Sequence, residues 1–193
     1  MNRVRKSGRA PAVFGFLCAA LSALAGPSHA KPVWIELQDL GRGHYRMEGK
    51  ITADVSREAA WGVLSDYDRL HHFVGTLRRS RVKESRPEYI LLEQEGVARV
   101  YFFSHTVRVL LKIREERHKR ILFEDVLHKD FSLYRGSWQL QKGPDGLQVI
   151  YRLECRRRFW APNFIAKDAL RKNAESLMAD VRQEMIGRAH HAR

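Results

Sequence analysis

The sequence predicts an α+β fold: a curved seven-stranded antiparallel sheet wrapped around a long C-terminal helix, with short helices after the first strand. Three observations lead there. Residues 77–158 form a nearly unbroken series of strand-like segments with short connections, and such strands pair antiparallel. Residues 162–187 carry one apolar stripe, Leu170, Ala174, Leu177, Val181 and Met185, at helical spacing. No other long apolar element remains to cover the inner face of the sheet, which a strong twist would curl around that helix.

The first strand is expected over residues 44–53, where Tyr45, Met47, Gly49, Ile51 and Ala53 alternate with polar neighbours. Ser56 is a candidate N-cap for a short helix, with Glu58 in its first turn and Ala60, Val63, Leu64 and Tyr67 on one face. Gly62 lowers that helix's propensity, and Asp66-Tyr67-Asp68 interrupts it before a further turn to His72. Strands follow at Leu77–Glu84, Glu88–Phe103 with a bulge at Gly96, Thr106–Arg117, Ile121–His128, Phe131–Gln141 and Leu147–Arg158. Arg86-Pro87 and Gly143-Pro144-Asp145-Gly146 are the clearest turn signals. Pro162 suits the first turn of the last helix and Gly187 its end, so residues 188–193 are expected to form a disordered tail.

The first 30 residues have a different character. Arg3, Arg5, Lys6 and Arg9 precede an uncharged, Ala- and Leu-rich run from Ala12 to Ala25, then Gly26-Pro27 and the small-residue site Ser28-His29-Ala30. This is the pattern of a cleavable signal peptide, and the run is short for a membrane span. Cleavage is expected after Ala30, with Ala25 as the second choice, leaving one ligand-binding domain at 31–187 in an exported, periplasmic protein. Leu17 before Cys18 does not suit a lipoprotein site.

The 193-residue chain carries a formal charge of +13, and loss of the four leading basic residues leaves +9. For an exported chain, an anionic membrane surface is a better partner for such charge than nucleic acid, and a solvated basic surface without a partner is an equal alternative. Cys155 would be the single cysteine after cleavage, so no internal disulfide is expected. No cofactor motif, P-loop or Ser–His–Asp order is present.

Several strings resemble a known family when taken in order. They are Trp61-Gly-Val-Leu-Ser-Asp-Tyr-Asp-Arg-Leu-His-His-Phe-Val74, Ser80-Arg81-Val82, Glu93-Gln94-Glu95-Gly96, Gly136-Ser137-Trp138 and Tyr151-Arg152-Leu153. Over residues 44–187 the chain resembles the START-like (SRPBCC) polyketide cyclase/dehydrase proteins, a broad family that includes coenzyme Q-binding START-domain proteins. The resemblance implies the helix-grip fold and, for many members, binding of hydrophobic molecules. It also implies that the loop holding His71, His72 and Phe73 lies near the cavity entrance, and it carries no catalytic residues over.

Strand parity then selects cavity candidates. Tyr134 and Trp138 share one face, Tyr151 shares a face with Val149, Leu153 and Cys155, and Phe123 with Ile121 and Leu127. With Leu170, Leu177 and Val181 from the helix, these aromatics would line a hydrophobic pocket, unless they simply pack the core. His71 and His72 beside Asp66 and Asp68 read as a polar loop and not as a metal site, because adjacent helical residues point apart. Glu93, Glu95, Asp125 and Glu154 are candidate acid/base groups for an alternative enzymatic reading, a cyclase or dehydrase of aromatic polyketide-like substrates. Arg78-Arg79, Arg81 and Arg156-Arg157-Arg158 are expected on outer strand faces, where they suit a third reading, a module for a membrane or protein surface. Arg152 would face the cavity only if strand parity flipped there.

Overall fold

A computed structural model describes residues 33–100 and 103–191. The expected signal peptide and its cleavage sites lie outside the described residues, as do residues 192–193. The described chain forms β1 (Trp34–Asp39), β2 (His44–Ala53), α1 (Arg57–Leu64), a 3-10 turn (Tyr67–Arg69), α2 (Leu70–Phe73), β3 (Leu77–Ser85), β4 (Ile90–Val100), β5 (Phe103–Glu116), β6 (Arg120–Asp125), β7 (Phe131–Gly143), β8 (Gly146–Arg157) and α3 (Asn163–His191). All strands join one antiparallel sheet in the order β1-β2-β8-β7-β6-β5-β4-β3.

The sheet has eight strands where seven were expected. The additional one, β1, pairs along β2 from Trp34↔Lys50 to Asp39↔Tyr45. It is an edge strand whose residues are half-buried or exposed, so its sequence lacks the strong apolar alternation of a covered strand. The bulge expected at Gly96 lies on the partner strand: β3 shifts register between Leu77 and Arg79, opposite Gly96 and Glu95. A second β3 irregularity at Val82/Glu84 and another on β7 at Phe131/Leu133 add local twist, which helps the sheet curl.

Local chemistry explains the helices. The Ser56 side chain accepts a hydrogen bond from the Ala59 amide at 3.0 Å, and α1 buries Ala60, Trp61, Val63 and Leu64. Ser80 and Asp68 tie the short 3-10 turn to β3, since Ser80 Oγ donates to the Tyr67 carbonyl (2.6 Å) and the Val82 amide donates to Asp68 (2.7 Å). Helix α3 packs against β1, β2 and α1. Met178, fully buried, sits over Gly49, where an added Cβ would fall 2.9 Å from Ile35 Cδ1 and 3.4 Å from Met178 Cγ. Glycine at that position leaves room for the end of the Ile35 side chain beneath the helix, and a larger residue would have to displace it.

Helix α3 continues past Gly187 to His191, where a frayed tail was expected. Arg188 anchors the extra turn through Asp66 (2.8 Å) and Glu184 (2.7 Å), and its guanidinium lies 5.6 Å from the centre of the Phe73 ring. A glycine ends a helix when a left-handed residue follows the last turn, and none is present there.

Candidate ligand-binding cavity

Between the inner face of the sheet and α3 lies a cavity of about 460 Å3, within the size range of small-molecule sites. Phe123, Tyr134, Trp138 and Tyr151 from the sheet line it, as do Leu170, Leu177 and Val181 from the helix. The aromatics form one connected wall. Trp138 and Tyr151 are neighbours across β7 and β8 with ring centres 4.5 Å apart, Phe123 stacks on Tyr151 at 6.1 Å, and Tyr134 bridges Phe123 (6.1 Å) and Phe131 (4.9 Å). Trp138, Tyr134, Leu170 and Leu177 keep part of their surface open to the cavity, whereas Phe123, Tyr151 and Val181 are buried. Leu127, grouped with Phe123 by parity, lies beyond the end of β6 and is exposed.

His71, His72 and Phe73 sit on α2, but the side chains of this segment that line the cavity are Leu70 and Val74. Phe73 packs under Arg188, and the two histidine rings meet edge to face at 4.3 Å. Among the described residues no group of three or more His, Cys, Asp or Glu is placed to hold a metal.

The aromatic wall of the cavity is neutral and hydrogen-bonded. The Tyr134 and Tyr151 hydroxyls are partners; burial pushes Tyr134 up to about 12 and Tyr151 well above the usual tyrosine range. Burial likewise pushes the Cys155 thiol up to about 12, so it is an inert core group. Tyr67 is raised by burial and by its hydrogen bond to Glu115.

None of the four carboxylates considered for acid/base work lines this cavity. Asp125 is buried but caps the β6–β7 turn, accepting from the Leu110, Leu127 and His128 amides at 3.0 Å each. Glu154 lies on the outer face with Arg135 (3.0 Å) and His44 (2.8 Å), and these bonds hold its carboxyl below the usual range. Glu95 is similarly held by Arg108 (2.8 Å), and Glu93 lies near Arg79 (3.8 Å).

The chain's fold and family follow from comparison. A family described as polyketide cyclase/dehydrase and lipid transport matches residues 53–182. The chain belongs to that family. Similar solved structures include a STAR-related lipid transfer protein from Xanthomonas axonopodis (12% identity, TM-score 0.66, covering 81% of this chain and 94% of that one). The Zhui aromatase/cyclase from Streptomyces sp. R1128 is also similar (13%, TM-score 0.61, 78% and 96%), as is a START superfamily protein from Mycobacterium smegmatis (13%, TM-score 0.62, 78% and 100%). At these identities the likeness establishes the START-like helix-grip fold. No curated protein sequence matches the chain.

Within this START-like frame the rim groups of the cavity were missed by sequence reasoning. Arg157, His105 and Trp160 all line it. Arg157 was grouped with its exposed neighbours Arg156 and Arg158, yet it continues the inward parity of Tyr151, Leu153 and Cys155, a signal already present in the sequence. Arg152 stays on the outer face, bonded to Glu48 (2.6 Å) and Gln139 (3.0 Å), so parity does not flip. Outer-face arginines and lysines are interleaved with carboxylates throughout this region, as Lys50 with Glu48 (2.7 Å) illustrates.

Proposed function

We propose that this chain is an exported carrier or sensor that reversibly binds a hydrophobic, lipid-like small molecule between its sheet and α3. The observation carrying this reading is the cavity of about 460 Å3 faced with aromatic and aliphatic side chains. Burying apolar surface there would contribute roughly 25 cal/mol per Å2 before the costs of association. The leading segment, residues 1–30, supports export. The relatives described as lipid transfer and START proteins accord with this reading. The enzymatic alternative would have to work without a carboxylate among the described residues of the cavity wall and would fall to His105, which lies 3.5 Å from Asp130 at the rim.

Native mass spectrometry of the purified protein, followed by solvent extraction, tests the proposal directly. A stoichiometric apolar molecule is the expected result; an empty protein that also fails to take up a panel of lipids and quinones would refute it. Filling the cavity gives a second check. Leu177→Trp, at a helix position partly open to the void, should abolish co-purification of the ligand while the melting temperature stays the same or rises. Retention of ligand by that variant would place binding elsewhere.

A membrane contact is favoured by the rim and not by the strand faces. Leu40, Val126, Leu127, Trp160 and Phe164 are large, exposed and apolar; Trp160 is 81% and Phe164 70% exposed. They lie at one end of the sheet, as the pairs Asp39↔Tyr45, His44↔Arg156 and Phe131↔Arg157 and the Arg158 amide bond to Asp130 require. Exposed Arg42, Lys129, Arg158 and Lys167 surround them. Aromatic tips with basic neighbours at the mouth of an apolar cavity suit an anionic bilayer. Trp160→Ser with Phe164→Ser should reduce sedimentation with phosphatidylglycerol vesicles several-fold, and salt should weaken the wild-type interaction. Vesicle binding unaffected by both changes would remove this contact.

A further inference from the structure

The lining of the cavity is chemically lopsided. Among the described residues that line it, Arg157 is the one formally charged side chain, and none is Asp, Glu or Lys. Arg157 ends β8 on the inner face, packed under the β1–β2 turn, where an added Cβ on Gly43 would lie 3.0 Å from Arg157 Cγ. One guanidinium nitrogen, Nη1, donates to the Phe159 carbonyl at 2.9 Å. Its Nε is buried without a hydrogen-bond partner.

Arg157 also forms no ion pair among the described residues. The carboxylate it acts on electrostatically, Asp39, is already committed to the Gly41 amide (3.0 Å), Asn163 (2.7 Å) and Lys167 (3.9 Å). His105 joins Arg157 at the rim, its ring 4.2 Å from that of Phe159 and its Nε2 buried, 3.5 Å from Asp130. A half-buried cation whose Nε–H is enclosed without an acceptor is costly unless an anion or acceptor meets it. The neutral aromatic wall lies deeper: Tyr151 is six residues back along β8, about 20 Å at strand spacing.

We propose that the cavity selects amphiphiles with a single anionic head group, held at Arg157 beside His105, with the apolar body extended towards Trp138 and Tyr151. The proposal rests on the hydrophobic-cavity reading and narrows its ligand class to acids. Carboxylates and phosphate monoesters share the chemistry, because a guanidinium meets either with paired N–H···O bonds.

The test compares cis-parinaric acid with its methyl ester, by fluorescence, on the full chain. Wild type should bind the acid at least about tenfold more tightly than the ester, the scale of a hydrogen bond to a charged group. Arg157→Gln should bind both with the wild-type affinity for the ester, which also reports that the variant's cavity is intact. Arg152→Gln, on the outer face, should keep the preference. Displacement by dodecyl phosphate at lower concentration than by dodecanoate would identify phosphate as the better head group, and the reverse would identify carboxylate; either depends on Arg157 if the proposal holds. Equal wild-type affinity for acid and ester, or a preference that survives Arg157→Gln, overturns the proposal and leaves the cavity reading standing. Binding of neither probe removes both.

Discussion

Gly136→Val is expected to destabilise the protein by about 3 kcal/mol or more, the upper range of overpacking effects. Gly136 lies on β7 between Phe123 of β6 and Leu153 of β8. An added Cβ would fall 2.1 Å from the Arg152 carbonyl oxygen and 2.5 Å from Phe123 Cζ. A ring end can swing aside, but a carbonyl within the sheet ladder cannot move without breaking strand pairing. For a chain of this size the melting temperature should fall by roughly 10 °C, read by circular dichroism. Gly62 provides the contrast. It is exposed on α1, nothing lies within 4 Å of an added Cβ, and Gly62→Ala should gain up to about 1 kcal/mol through helix propensity. If Gly136→Val melts within the error of wild type, the close packing of Phe123 over this glycine is not a constraint. The effect would reach function too, because a displaced Phe123 ring moves into the cavity it lines.

Gly136-Ser137-Trp138 was legible as a family string, and the structure supplies its cause: a glycine under one cavity aromatic and a tryptophan forming the next. Period-2 alternation located β2 and β8 well, because both turn one face into the core, which forces apolar residues onto alternate positions. The same rule made the cavity wall readable. It failed where burial is partial. Edge strand β1 has weak alternation, and the end of α3 is held by Arg188 pairing with Asp66, a contact across 122 residues that no local pattern encodes. Met178 was likewise outside the apolar stripe read from sequence, yet it is fully buried, whereas Leu170 and Leu177 within the stripe are half-open because they face a void. Helical periodicity identifies a face and does not distinguish packed core from cavity. At the rim, charge suggested solvent for Arg157, while its parity pointed inward; parity was the better guide, since the cavity mouth accepts a long polar side chain.

Alkaline unfolding below about pH 12 is the second large effect, and it arises from the same neutral interior. Cys155, Tyr151 and Tyr134 are acids whose folded-state affinity for the proton is raised, chiefly by burial. The unfolded chain therefore loses these protons at lower pH than the folded one. The Cys155 contribution is fully present below the ordinary cysteine value of 9 and is lost as pH rises through about 12, while the tyrosine contributions begin to be lost only above the ordinary tyrosine value of 10. Cys155 alone accounts for about 4 kcal/mol over that window. Tyr151 adds to this, and Tyr134, part of whose surface opens into the cavity, adds less. The sum is comparable with a typical domain stability of about 5–15 kcal/mol. The part of the absorbance change at 295 nm that comes from the buried tyrosines should thus accompany the loss of far-ultraviolet circular dichroism, since these groups ionise only as the sheet opens. Cys155→Ala tests the assignment. The fall in unfolding free energy between pH 8 and 11 should be about 3 kcal/mol smaller in the variant, whatever its stability at neutral pH. Ionisation of the full tyrosine complement before any loss of circular dichroism would mean that water reaches the aromatic wall freely, and a cavity so wetted would be a poor host for an apolar ligand.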